Sequence, residues 1–314
     1  MTPPRRILVI KLGALGDFVQ AMGPFAAIRA RFPHALITLL TTRPFVALAR
    51  ACPWFDEVWI DDKPKLWQVR RLWALRRRLR GGGFDRVYDL QTSDRSSLYF
   101  RLLGGGVEWS GIARGCSHPD PDPRRDFRHT VERQRGQLAA AGIAAVPPPD
   151  LSWVGGNAAA EFGLTGPYVL LCPGGAPHRP AKRWPAERFG AVAVRLAQRG
   201  LTPALIGTAA EAEAILTIRA LCPSAVDLSG RTTFLDILSL GRGARAALGN
   251  DTGPMHLIAA AGCPALVLFS DESNPDLCAP RGQVTILRRP DLADLAEAEV
   301  AGPLLRLLAA QAEG

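Results

Sequence analysis

Short apolar runs alternate along this chain with stretches in which apolar residues recur every three or four positions. Residues 5–11 read RRILVIK and are followed at once by GALGD and a helical apolar pattern that continues to residue 32. An unbroken β-branched run of this kind suits a strand buried on both faces, as in a parallel sheet. The same reading predicts strands at 35–41, 57–60 and 84–90, helices at 44–52, 65–80 and 94–103, and a polar loop at 115–128. Such alternation is the pattern of a parallel, doubly wound sheet.

The segments VPPPD at 146–150 and GGN at 155–157 resist both helix and central strand, so they mark a linker. Behind it the alternation restarts, with strands predicted at 168–172, 202–206, 225–228, 244–249 and 265–269. Helices are predicted between them at 185–199, 211–220, 233–239 and 255–261, and again in 291–311. The expected class is α/β, with domains at 1–150 and 151–314, the second closing in terminal helices. A cleft between them is expected, faced by the carboxyl ends of both sets of strands.

Composition narrows the partners. At 314 residues, 47% hydrophobic and 21% charged, the chain is too long for one ordinary core and too apolar for disorder. No stretch approaches the roughly 18 consecutive apolar residues of a membrane span. The start runs too soon into Lys11 and Asp17 for a secretory segment, so a cytoplasmic location is expected. Six cysteines are spread singly with no CxxC pair, which offers neither a zinc ribbon nor a redox motif.

The net charge of +9 is unevenly placed: residues 1–150 hold 24 Lys+Arg against 14 Asp+Glu, and residues 151–314 hold 14 against 15. The excess peaks in residues 63–80, KPKLWQVRRLWALRRRLR, which carry eight cations and no acid. Leu66, Val69, Leu72, Trp73 and Leu79 fall at helical spacing there and are expected to form an apolar face. One reading is a helix that covers its domain and keeps a solvated basic face. The functional reading is that Arg76, Arg77 and Arg78, with Arg124, Arg125 and Arg128, meet a phosphorylated lipid acceptor or an anionic membrane surface.

Four turns could carry chemistry. In KLGALGD, Gly13 and Gly16 let the backbone turn tightly after the first strand, and Asp17 follows either as a helix-start residue or as a reacting carboxylate. The spacing is GxxG rather than GxGxxG, which argues against a nicotinamide-dependent oxidoreductase. PGG at 173–175 leads to KRWP at 182–185, where Lys182 suits a phosphate or is a solvated loop lysine. Glu211, beyond the strand that ends in GTAAE, could accept ribose hydroxyls or simply start a helix. The sharpest is GNDTGPMH at 249–256. Pro254 pre-sets a first helical turn whose N–H groups near Thr252 and Gly253 can hold a diphosphate, and His256 lies one turn on, within reach of the same anion. Asp120-Pro121-Asp122 matches a DxD metal pattern but has no strand before it to aim it, and reads as surface. Ser229 and Ser239 lack a nucleophile elbow.

Taken in order, GALGD, PGG with KRWP, the GxxxE of residues 207–211 and NDTGPMH followed by AAAG resemble glycosyltransferase family nine, the heptosyltransferases of the lipopolysaccharide inner core. The resemblance covers nearly the whole chain. It implies the GT-B fold: two Rossmann-like domains with an interdomain cleft, acceptor on the first and nucleotide-sugar on the second, with neither cofactor nor metal. It further implies inverting transfer from ADP-heptose, or a similar nucleotide-sugar, to Kdo or heptose of an anionic glycolipid at the inner face of the cytoplasmic membrane. Asp17 then corresponds to the catalytic base, Lys182 to the lysine at the donor phosphates and Glu211 to the acid near the ribose. Asp251, Thr252, Gly253 and His256 correspond to the donor-binding segment. One departure is Pro177-His178-Arg179-Pro180, where relatives usually carry hydroxyl residues, and it bears on donor identity. Another nucleotide-sugar or acceptor is the alternative within the family. A basic nucleic-acid-binding protein is the alternative outside it, although no helix-turn-helix, RNP or zinc pattern is present and no nucleic-acid partner is expected.

Overall fold

The computed structural model describes residues 4–175 and 178–311. The chain divides into two compact units, Met1–Trp153 and Val154–Gly314. The first unit contains β1 (Arg6–Ile10), β2 (Leu36–Thr41), β3 (Glu57–Ile60), β4 (Arg86–Asp89), β5 (Glu108–Gly111) and β6 (His118–Pro119). They form one sheet in the order β3-β2-β1-β4-β5-β6, and every pairing is parallel. The second unit contains β7 (Tyr168–Cys172), β8 (Thr202–Leu205), β9 (Val226–Asp227), β10 (Ala246–Asn250), β11 (Ala265–Phe269) and β12 (Val284–Arg288). Their order is β12-β11-β10-β7-β8-β9, again parallel throughout. Numbered within its own unit, each sheet runs 3-2-1-4-5-6. The chain builds outward from the centre, returns, and builds the other way, which leaves a switch point between the first and fourth strands.

Burial explains the unbroken apolar runs. Every residue of β7, β10 and β11 is buried, as are four of the five in β1, because helices cover both faces. In the second unit Trp184 packs edge-on against Phe189 at 4.9 Å between ring centres, and its indole N–H donates to Leu295 O at 2.8 Å. Close approach also dictates a glycine. A Cβ at Gly249 would lie 2.6 Å from Met255 Sδ and 2.7 Å from Cys172 Cβ, so the helix Gly253–Ala260 folds back on β10 only with hydrogen at that position.

Several expectations are corrected. The pattern up to residue 32 is two helices, Leu15–Gln20 and Met22–Arg31. Residues 115–128 are not a plain loop, since they contain β6 and a short helical turn, Arg125–Phe127. The strands β5 and β12 and the helix Thr130–Ala140 were not foreseen from local pattern. The basic helix begins at Val69, so Leu66 and Trp67 precede it; of the expected stripe Leu79 is buried, beside Leu75, whereas Leu66, Val69 and Trp73 are exposed. Those two leucines join Leu8, Ile10, Phe84 and Trp109 in one core, and that seat sets the helix's rotation and turns Val69 and Trp73 to solvent. Among the described residues no helix is long and apolar enough to cross a membrane.

Candidate functional site

In the first unit, β1 and β4 are neighbours at the switch point, and the residues that follow them meet there. Lys11 comes directly after β1. It is buried, and its ammonium donates to Leu90 O at 3.0 Å. The N–H of Leu12 donates to the Gln91 side-chain oxygen at 2.8 Å, which ties the glycine turn to the residues beyond β4. Gly13 has φ +120°, and a Cβ there would lie 2.9 Å from the Phe45 ring, so backbone and space both demand glycine. Gly16 is buried within the helix Leu15–Gln20, and Asp17 stands half-buried in its first turn. Asp17 lines a pocket of about 140 Å³ together with Lys11, Gln91, Thr92, Arg125, Arg133 and Gln134. Both polar atoms of the Gln134 side chain are buried without a hydrogen-bond partner among the described residues. Leaving a buried amide unmatched costs about 1–3 kcal/mol, and a ligand or water that completes it recovers that cost.

Burial lowers the pKa of the Lys11 ammonium, opposed by the charges of Asp17 and Asp89. Asp89 ends β4 and is fully buried. One carboxyl oxygen accepts from the N–H groups of Gln91 and Thr92 at 3.1 and 2.9 Å. Burial pushes this carboxyl up to about 6 from 3.8, although those N–H bonds, the Ser96 hydroxyl and the Lys11 charge oppose the shift. Between the two values the folded chain holds more protons at this site than the unfolded chain. The contribution of Asp89 to stability therefore falls as pH rises through that window, by on the order of 3 kcal/mol, and is level above it. Asp89→Asn is expected to remove this slope. The check is a comparison of urea midpoints for the two proteins at about pH 4.5 and about pH 7; parallel slopes would show that Asp89 titrates normally.

The second unit repeats the arrangement at β7 and β10. Asn250, the last residue of β10, is fully buried. Its side-chain N–H group donates to Pro173 O at 2.9 Å and Gly174 O at 3.1 Å, and its oxygen accepts from Trp184 N–H at 3.2 Å. One amide thus joins the PGG turn, the KRWP segment and the NDTG turn. Lys182 is buried, and its ammonium pairs with Asp251 Oδ2 at 2.5 Å; the same oxygen accepts from Ser273 Oγ at 2.6 Å. Arg183 holds the turn from the other side through Gly175 O at 2.7 Å. Thr252 precedes the helix Gly253–Ala260, with Pro254 in its first turn and His256 buried one turn in. First-turn N–H groups of a helix have no partner within the helix and favour negative charge. Glu211 accepts from the Thr208 N–H and hydroxyl at 2.8 and 2.7 Å through one oxygen, which is a helix-start role. Its other oxygen lies against the PGG turn, 3.3 Å from where a Cβ of Gly174 would stand.

The structure therefore groups Lys182, Glu211, Asp251, Thr252, Gly253 and His256 around the end of one sheet, and Gly13, Gly16 and Asp17 at the end of the other. Local sequence did not single out Asn250, Ser273, Arg183 or Gln134. An asparagine at the end of an apolar strand was the available signal for Asn250, whereas the others depend on contacts distant in sequence. Arg76, Arg77 and Arg78 do not form one equivalent patch. The Arg78 guanidinium lies over the Trp59 ring at 4.5 Å and donates to Ile60 O, that of Arg76 lies over Trp73 at 5.5 Å, and Arg77 points to solvent. Arg125 and Arg128 are engaged by Asp120 and Asp122, each at 2.8 Å. This corrects the surface reading of the DxD segment: it follows β6, and the Asp120 side chain is 1% exposed against Arg125. No cluster of three or more His, Cys, Asp or Glu able to hold a metal occurs among the described residues. In the departing segment 177–180, Pro177 lies outside the described residues, and Arg179 donates to Glu272 O at 3.2 Å.

Comparison with known proteins aligns residues 72–299 with the family model "Glycosyltransferase family 9 (heptosyltransferase)". Lipopolysaccharide heptosyltransferase 2 of Salmonella typhimurium is 27% identical over 298 residues, which cover 88% of this chain and 85% of that protein. Among solved structures, E. coli ADP-heptose lps heptosyltransferase II matches with a TM-score of 0.80 at 24% identity, covering 98% of this chain and 100% of that one. E. coli heptosyltransferase WaaC with ADP-2-deoxy-2-fluoro heptose matches with a TM-score of 0.76 at 19% identity, covering 96% and 99%. These likenesses establish the GT-B fold expected from the motif order.

Proposed function

The chain belongs to glycosyltransferase family 9, and from that premise we propose that it moves a heptose from ADP-heptose to the inner core of lipopolysaccharide, with inversion and without a metal. One observation carries this reading: the two switch points hold complementary chemistry. In the first unit a carboxylate stands among cations and an unmatched amide; in the second a lysine and a helix start surround a glycine turn.

Asp17 takes the proton from the acceptor hydroxyl as the anomeric carbon gains positive character. The acceptor presents an anionic group to Lys11, Arg125 and Arg133, and its polar edge satisfies Gln134. Lys182 and the first turn of the helix Gly253–Ala260 stabilise the departing diphosphate, which needs charge rather than a proton. The free oxygen of Glu211 accepts from ribose hydroxyls beside Gly174, and Asp251 and Ser273 orient Lys182 until phosphate arrives. The acceptor thus belongs to the first unit and the nucleotide-sugar to the second.

A donor screen by calorimetry tests the proposal. Tight binding of intact ADP-heptose with no binding of UDP- or GDP-sugars is expected, and the reverse would reassign the donor. Turnover that persists in EDTA and an inverted anomer in the product are the corresponding expectations for the chemistry; loss of turnover in EDTA would restore a metal to it.

A further inference from the structure

We propose that the outer face of the helix Val69–Gly81, with the turn before it, is a docking surface for an anionic phospholipid bilayer. Arg70, Trp73 and Arg77 recur at three- and four-residue spacing on the side opposite the buried Leu75 and Leu79, and they line one surface groove. Leu66, Trp67, Val69 and Trp73 are 70%, 73%, 61% and 61% exposed. These four large apolar side chains crowd one helical turn and the residues just ahead of it, in a chain whose helix is otherwise well seated in its core. Arg70 and Arg77 have no ion-pair partner among the described residues. Lys65 lies over the Trp67 ring at 4.9 Å and Arg76 over the Trp73 ring at 5.5 Å, so each exposed indole is paired with a cation.

The pairing identifies the partner's chemistry. Indole rings favour the headgroup level of a bilayer, and arginine stems reach from that depth to phosphates. Anionic lipid supplies the complementary charge, and the four apolar groups leave water on docking. A nucleic acid would satisfy the cations and leave Leu66 and Val69 wet. The surface differs from the pocket beside Asp17 and involves none of its residues, so docking and transfer can fail independently.

The test is cosedimentation of the full chain with vesicles of phosphatidylcholine alone and of equal parts phosphatidylcholine and phosphatidylglycerol. Partitioning onto the anionic vesicles is expected to exceed that onto the neutral ones by about tenfold or more. Arg70→Glu with Arg77→Glu is expected to lower it by on the order of 25-fold or more. Trp67→Ser with Trp73→Ser is expected to lower it by about tenfold, with the loss persisting in high salt where electrostatic binding is screened. Because both tryptophans are solvent-facing, turnover on a soluble acceptor fragment should stay unchanged in the tryptophan variant, which separates lost docking from lost folding. Wild-type partitioning of the tryptophan variant would overturn the proposal. So would a salt-sensitive oligonucleotide gel shift in place of vesicle binding, which would reassign the face to nucleic acid.

Discussion

Asp17→Asn is expected to lower the transfer rate by about 10²- to 10⁴-fold while leaving ADP affinity within about twofold. Asparagine keeps the size and polarity of the side chain and loses only the capacity to accept a proton. The other carboxylates near β1 and β4 are poor substitutes. Asp89 is fully buried, and Asp61 is buried and accepts from the Tyr99 hydroxyl at 2.5 Å. The measurement is single-turnover transfer beside ADP titration. A variant that keeps its rate within about tenfold would move the base to another residue.

Lys182→Met is expected to slow transfer by about 10²- to 10³-fold, because it removes a charge at the position where the leaving diphosphate gathers negative charge. A second effect accompanies it. Asp251 would keep Ser273 as a partner but lose the cation, and stranding a largely buried carboxylate costs several kcal/mol. Adding Asp251→Asn separates the two effects. If Lys182 acts on phosphate, the double variant regains thermal stability and remains slow. Recovery of rate along with stability would assign Lys182 a structural role only.

Much of this molecule is legible residue by residue. The alternation of apolar runs with helical periods named nine of the twelve strands found among the described residues, and RILVI, YVLLC and ALVLF needed no tertiary information because a strand buried on both faces has one composition. The glycine turns and the NDTGPMH segment were equally visible, since positive φ and a proline-started helix have local chemical causes. Expectations failed where a second partner decides the outcome. β6 is two residues long and exists because Ser110 and Gly111 offer an edge to His118 and Pro119. Spacing predicted a face on the basic helix, and its seat against Leu8, Ile10 and Trp109 kept Leu79 from that face, added Leu75 and left Val69 and Trp73 outside.

The sequence by itself therefore determined the order of the central strands and most helices, the turns that can approach an anion, and the concentration of cations in the first half. Tertiary structure decided which turns meet. Lys11 reaches Leu90 across 79 residues, Asn250 reaches Pro173 across 77, and Lys182 reaches Asp251 across 69. Each contact exists because the strand order places the first strand of a unit beside its fourth. No local pattern contains that order: it is chosen by which strands hydrogen-bond as neighbours and bury both faces, and the meeting of these side chains follows from it.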